Sequence, residues 1–251
     1  ILPFWMSKMV DPNGGFYGRM NGLGEICQGS VKSAILNTRI LWTFSSAYKL
    51  FKQQEYLKYA QKAYKEIIEK FYDTKNGGIY WSIDSSGNPF ETKKQIYAIG
   101  FAIYGLSEYY IATNEDEALK YAIRLFHDIE EHSYDSEKNG YYEAFSEDWN
   151  EIDDVRLSEK DENQRKTMNT HLHILESYTN LYKVWKDPLL EKQLANLISL
   201  FCDRILRKDG HLGLFFNDDM INTSSVTSYG HDIESSWLLD EASKILGNQD
   251  L

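Results

Sequence analysis

Four times along the chain an aspartate opens a short glycine-containing segment that runs into aromatic or large apolar residues. These are Asp11-Pro-Asn-Gly-Gly-Phe-Tyr, Asp73-Thr-Lys-Asn-Gly-Gly-Ile-Tyr, Asp135-Ser-Glu-Lys-Asn-Gly-Tyr-Tyr and the looser Asp209-Gly-His-Leu-Gly-Leu-Phe. The aspartates stand 62, 62 and 74 positions apart. A recurrence of this length marks one supersecondary unit that buries its apolar face only by stacking on its neighbours, so the chain must fold as an array of units. Glycine supplies the positive φ of a tight turn, and the following aromatics extend briefly or pack over the core, which places the four segments as loops on one rim.

Between the loops lie paired helical patterns, at 31–52 with 54–72, 93–113 with 115–132, and 167–186 with 188–207, and a last helix is expected over 230–246. Asp187-Pro188 supports the third pair, because Asp accepts from the first free amides while Pro fits the first helical turn. The first member of each pair is the more apolar and aromatic (Ile35 to Phe51, Ile96 to Tyr110), and the second is charged (Glu55 to Lys70, Glu115 to Glu131). First members therefore read as an inner wall and second members as an outer one. Such hairpins stack into a solenoid or close into a toroid, and the period alone does not choose. An apolar, aromatic inner set that carries polar residues favours closure around a pocket.

Composition narrows the function classes. The 251 residues carry 27 Lys and Arg against 38 Asp and Glu, a net charge of −11, which is expected of one acidic soluble domain over 1–251 and not of a phosphate-backbone ligand, so no nucleic-acid partner is expected. Cys27 and Cys202 fit no metal or redox spacing and read as free thiols of a reducing compartment, the cytoplasm. The weakly polar run Ile96 to Ser107 is too short to cross a bilayer. Ile1-Leu2-Pro3-Phe4-Trp5 lacks both an initiator Met and the basic start of a signal peptide, so a trimmed start is expected.

Two constellations could carry chemistry. In Met168-Asn169-Thr170-His171-Leu172-His173-Ile174-Leu175-Glu176, helical geometry puts Asn169, His173 and Glu176 on one face and His171 nearly opposite. A lone histidine is most simply a satisfied core residue; three polar side chains on one inner face tilt the reading toward function. In Gly230-His231-Asp232-Ile233-Glu234-Ser235-Ser236-Trp237, His231 and Glu234 are three apart, so the carboxylate is placed to orient the imidazole and tune it for acid/base work; the plainer reading is that Asp232 and Glu234 answer the helix dipole, and both can hold together. Arg39 stands in an otherwise apolar helix, where burial requires a partner or a polar cavity. Tyr97 and Trp237 fall on inner helices too; aromatic faces beside Arg, Asn and carboxylates suit sugars, although core packing is the commoner fate of an aromatic. No metal-ligand spacing, phosphate-binding loop, dinucleotide fingerprint or serine nucleophile elbow is present, so neither metal nor cofactor is expected.

At these residues the chain resembles the cellobiose 2-epimerases of the N-acylglucosamine 2-epimerase superfamily. The likeness runs through Ile1 to Trp5, Gly14-Gly-Phe-Tyr-Gly18, Ile35 to Phe44, Ile103 to Tyr110, Met168 to Glu176 and Gly230 to Leu239. It implies an all-α (α/α)6 barrel of twelve helices, of which about eight are expected in this chain, with the N-terminal start and the C-terminal third lying outside it. It also implies inversion at C2 of the reducing-end sugar of a β-1,4-linked disaccharide (cellobiose, lactose or mannobiose), without metal or nucleotide. The catalytic histidines of the motifs fall on His231 and His173, and the substrate-binding positions on Arg39, Tyr97, Asp161, Asn169, Glu234 and Trp237. A third pocket histidine is implied in a segment beyond residue 251. Two rival readings are an α/α-barrel glycoside hydrolase using rim carboxylates such as Glu25, Glu143 or Asp148, and a non-catalytic sugar-binding fragment.

Overall fold

Helical hairpins follow one another along the whole chain in the computed structural model, which describes residues 1–247; positions 248–251 of the expected domain lie outside the described residues. The helices are α1 (Leu2–Lys8), α2 (Ala34–Phe51), α3 (Gln54–Glu66), α4 (Ile96–Thr113), α5 (Asp116–His132), α6 (Met168–Tyr182), α7 (Pro188–Leu200) and α8 (Tyr229–Leu246). The inner wall is α2 against α4, α4 against α6 and α6 against α8, and the outer helices α3, α5 and α7 back α2, α4 and α6. Inner and outer members are therefore those read from sequence. One hydrophobic core runs between the two layers, from Leu41 and Phe44 through Ile99, Ile103 and Leu106 to Leu172, Leu175 and Leu238.

Local chemistry sets the ends of these helices. Ser33 accepts from the Leu36 N–H, Thr167 from Thr170, and Asp187 from Leu189 and Leu190, so three helices start on a side-chain cap. The two-residue links after α2 and α4 turn on Lys52 (φ 56°) and Asn114 (φ 58°) in the left-handed region, which Asn tolerates better than Lys. The outer helices α3 and α7 run on into π-helical turns over Ile67–Phe71 and Phe201–Ile205, a widening that a 3.6-residue period does not foresee. Inner helices approach closely through α4: a Cβ at Gly105 would lie 2.8 Å from the Thr38 carbonyl of α2, and one at Gly100 would lie 3.2 Å from the His173 carbonyl of α6.

The four aspartate loops each close on one antiparallel bridge, Val10 to Phe16, Tyr72 to Ile79, Tyr134 to Tyr141 and Leu206 to Leu212. Short strands then stitch successive units along the rim. Strands β1 (Lys32–Ser33), β2 (Ser82–Ile83) and β3 (Pro89–Glu91) form one sheet, β4 (Lys94–Gln95) pairs with β5 (Ala144–Phe145), and β6 (Lys166–Thr167) pairs with β7 (Phe215–Phe216), all antiparallel. The lysine two places before each of α2, α4 and α6 reaches back to its own loop: Lys32 to Asp11 at 2.9 Å, Lys94 to Asp73 at 2.7 Å and Lys166 to Asp135 at 2.7 Å. The Lys94 and Lys166 side chains are fully buried. Burial works to raise the Asp73 carboxyl, but hydrogen bonds from Lys94, Asn76 and Lys75 outweigh it and hold it at about 2; Asp135 is held at about 2 in the same way through Lys166.

The looser fourth loop lacks this clamp. Thr227 takes the lysine position, Asp209 turns outward to Arg207 at 2.7 Å, and the loop is tied instead to Asp232 of α8, which meets His211 Nδ1 at 2.8 Å and accepts from the Leu212 N–H at 3.0 Å. Asp232 therefore holds the loop, a role beyond the helix-dipole part expected of it. Among the described residues no helix is long and apolar enough to cross a membrane.

Candidate active site

On the concave side of the arc, one stripe of each inner helix lines a cavity of about 620 Å³. Helix α2 contributes Arg39, Trp42, Thr43, Ser46 and Lys49; α4 contributes Phe101, Tyr104 and Glu108; α6 contributes His173 and Glu176; α8 contributes Glu234, Trp237 and Glu241, with Lys183 just past α6. The steps of three, four and seven that separate these positions are those of a single helical face.

Near the rim, Arg39 donates from Nη2 to the Tyr97 hydroxyl at 3.2 Å and lays its guanidinium 4.3 Å over the Phe101 ring. The His173 ring meets Tyr97 edge-on at 5.0 Å and Phe101 at 4.6 Å, and its Nδ1 lies 2.8 Å from Glu176 Oε2. Burial pushes the Tyr97 phenol up, with Arg39 offsetting part of the rise. Deeper in, Trp42 stacks on Tyr104 at 5.2 Å, and burial with the neighbouring Glu176 carboxylate raises the Tyr104 phenol further. The cavity lining also carries Lys49 paired with Glu108 at 2.5 Å and Lys183 paired with Glu241 at 2.7 Å. A fixed cation, an imidazole and aromatic faces thus share one cleft.

A second cavity of about 410 Å³ lies beside the first turns of α6 and α8. It is lined by Asp161, Asn169 and His231, by Glu143 and Thr167, and by Val155 and Leu157 of the loop over residues 146–165. That loop is pinned to the rim by Gln95 and Lys93, which donate to the Val155 and Arg156 carbonyls. The His231 Nδ1 and the Ser228 hydroxyl hydrogen-bond at 2.8 Å, and Asp161 accepts from the Ser158 N–H and hydroxyl at 2.9 Å. Asn169 Oδ1 is buried without a partner among the described residues.

A profile of the family described as N-acylglucosamine 2-epimerase (GlcNAc 2-epimerase) matches residues 15–250. The chain belongs to this family. It is similar to a cellobiose 2-epimerase of Bacteroides fragilis, 61% identical over the whole chain and 64% of that protein, and to one of Ruminococcus albus at 41% over the whole chain and 64% of that protein. The chain thus spans a little under two thirds of the curated relatives it matches. The solved cellobiose 2-epimerase of Bacillus thermoamylovorans superposes with a TM-score of 0.96 at 43% identity, covering 100% of this chain and 65% of that one. The fold is accordingly that of the (α/α)6 barrel, and the toroid, not the solenoid, is the right reading of the repeat. The eight described helices form an arc of its twelve.

In this family member the expected site residues divide between two cavities. Arg39, His173, Glu234 and Trp237 line the larger one, with Tyr97 in contact with Arg39 and His173, while Asp161, Asn169 and His231 line the smaller. The first turns of α6 and α8 border both, since Asn169 and His173, and likewise His231 and Glu234, sit one turn apart. Two local expectations are corrected, and one alternative is decided. Ser228, not Glu234, is the recorded partner of His231, because a helical side chain leans toward its N-terminus and so meets the residue before the helix. Arg39 is exposed and aimed at the polar cavity, one of the two alternatives left open for it, and the Tyr97 and Phe101 contacts steady it there. Glu143 is not a solvated rim carboxylate: it is 1% exposed and accepts from the Thr167 N–H, the Thr167 hydroxyl and the Thr170 hydroxyl at 2.8–3.0 Å. Burial pushes its carboxyl up to about 8 against those hydrogen bonds. Glu25 and Asp148 are exposed and bonded within their own turns.

His171 points away from the cavity, as expected, and is fully satisfied: Nδ1 lies 2.6 Å from the Thr167 carbonyl and Nε2 accepts from the Tyr141 N–H at 2.9 Å. Burial lowers it to about 4, so it remains neutral. Sequence reasoning missed Trp42, Phe101 and Tyr104 as cavity residues. The signal was available, since Trp42 lies three after Arg39, and Phe101 and Tyr104 lie four and seven after Tyr97. Among the described residues no group of three His, Cys, Asp or Glu is placed to hold a metal.

Proposed function

We propose that the protein is a single-domain carbohydrate epimerase that inverts C2 of the reducing-end sugar of a β-1,4-linked disaccharide such as cellobiose, lactose or mannobiose. The observation that carries this reading is the Arg39, Tyr97 and His173 contact set on one cleft, a fixed positive charge within one side chain of an imidazole. Family membership and the likeness to cellobiose 2-epimerases support it. After ring opening the C2 proton lies next to the C1 carbonyl, and a base removes it to give an enediolate whose oxyanion Arg39 stabilises. Return of a proton on the opposite face inverts the centre. His231 is the proposed C2 acid/base, and His173 assists ring opening or proton transfer, with the second acid/base group coming from a histidine beyond residue 251. Asp161, Asn169, Glu234 and Trp237 bind sugar hydroxyls and faces across the two cavities. Free Cys27 and Cys202 support a reducing, cytoplasmic location.

Proton NMR of cellobiose in D2O tests the reading. The expected result is deuterium entering C2, lost by about a hundredfold or more in His231→Ala. Release of monosaccharide would favour hydrolysis instead. Normal exchange by folded His231→Ala would refute the assignment of the base.

A further inference from the structure

We infer that Glu176 is a positioning residue that holds His173 as the Nδ1–H tautomer, leaving the Nε2 lone pair for the cavity. The two side chains are three apart on α6, with Nδ1 and Oε2 2.8 Å apart and only 4% and 11% of the respective side chains exposed. A carboxylate has no proton to give, so the bridging proton belongs to Nδ1. The ring is held in this orientation from α4, where Tyr97 and Phe101 meet it at 5.0 and 4.6 Å, and no hydrogen bond to Nε2 is made among the described residues. Tyr104, which stacks on Trp42, lines the same cavity as Glu176. His171, on the same helix, shows the contrast: both of its ring nitrogens are used by backbone groups, and it takes no part in the cavity. A histidine with one nitrogen fixed by a carboxylate and the other turned to a cleft is set up to accept and return a proton at one defined atom.

The consequence for catalysis rests on the epimerase reading, but the tautomer does not. Long-range proton–nitrogen NMR of the 15N-labelled chain, with His173→Asn to assign the signals, reads the tautomer directly. Expected is a His173 ring with its proton on Nδ1 and a free Nε2, and a mixture of both tautomers in Glu176→Leu. A proton on Nε2 in the unaltered chain, or an unchanged tautomer in Glu176→Leu, overturns the inference; if that variant does not fold, the unaltered chain alone decides. In the exchange assay Glu176→Leu is expected to lower kcat by about ten- to a hundredfold with little change in KM for cellobiose. A fall confined to KM also overturns it. An Nδ1–H tautomer in a folded chain that exchanges no C2 proton leaves the inference standing and removes the epimerase reading.

Discussion

Replacing Lys94 with Met tests whether the buried clamps stabilise the rim. The Lys94 ammonium is fully buried 2.7 Å from Asp73, whose carboxyl is itself 1% exposed. Holding that carboxyl at about 2 instead of its ordinary 3.8 corresponds to about 2 kcal/mol of stability at neutral pH. Breaking a buried pair by removing one partner costs about 3–5 kcal/mol, because the other charge is left uncompensated. Asp73 keeps its bonds from the Lys75 and Asn76 N–H groups and from the Asn76 amide, which places Lys94→Met near the lower end, about 3 kcal/mol. For a chain of this size that is a drop in Tm of about 6–12 °C. Asp73→Asn should cost a similar amount. The double variant, with no lone charge to bury, should cost less than the two losses added together by about 1 kcal/mol or more. Urea unfolding followed by circular dichroism at pH 7 measures all three. Losses that add to within about 0.5 kcal/mol would refute the clamp as a coupled pair.

Acid titration of stability should show Asp73 and Asp135 together. Their folded values near 2 lie below the unfolded value, so their contribution is present above about pH 4 and is lost as pH falls toward 2. Glu143 has the opposite sign: its folded value of about 8 lies above the ordinary 4.5, so the folded state keeps a proton that the unfolded state loses, and stability declines as pH rises from about 5 to 8. Glu143→Gln should flatten that decline in urea titrations, and an unchanged slope would count against a buried neutral carboxyl. Gly105→Ala should lower Tm, because its new Cβ meets the Thr38 carbonyl at 2.8 Å and α2 and α4 must part; an overpacking cost of about 1–3 kcal/mol exceeds the gain of about 1 kcal/mol in helix propensity. Lys52→Gly should stabilise by about 0.5–1 kcal/mol by relieving a left-handed lysine, as thermal unfolding would show.

The helices were legible because their signals are local. Apolar spacing, Asp187-Pro188 and the aspartate turns fix α2 to α8 to within a few residues at most ends, and the inner and outer assignment follows from which member carries charge. The π-helical ends of α3 and α7 and the rim strands were not, since a two-residue strand leaves no period and a π turn depends on tertiary fit. Lys32, Lys94 and Lys166 recur at the same place before three inner helices, yet a lysine reads as surface until its aspartate is seen beside it. Helical spacing brought attention to the cation and the histidines, whereas the split of the candidate residues between two cavities depends on where the 146–165 loop runs.

The three clamps join residues 21, 21 and 31 positions apart. Each fastens the two ends of its own rim segment, so the path between them can lengthen without moving the helix that follows. The third unit already uses that freedom: its longer segment contains the 146–165 excursion that roofs the smaller cavity, and α6 still starts two residues after Lys166. Since closing a longer loop adds only about 0.6 kcal/mol per doubling of length, the segment between Asp135 and Lys166 is an engineering port, where a cavity roof can be exchanged while the wall beneath it keeps its register.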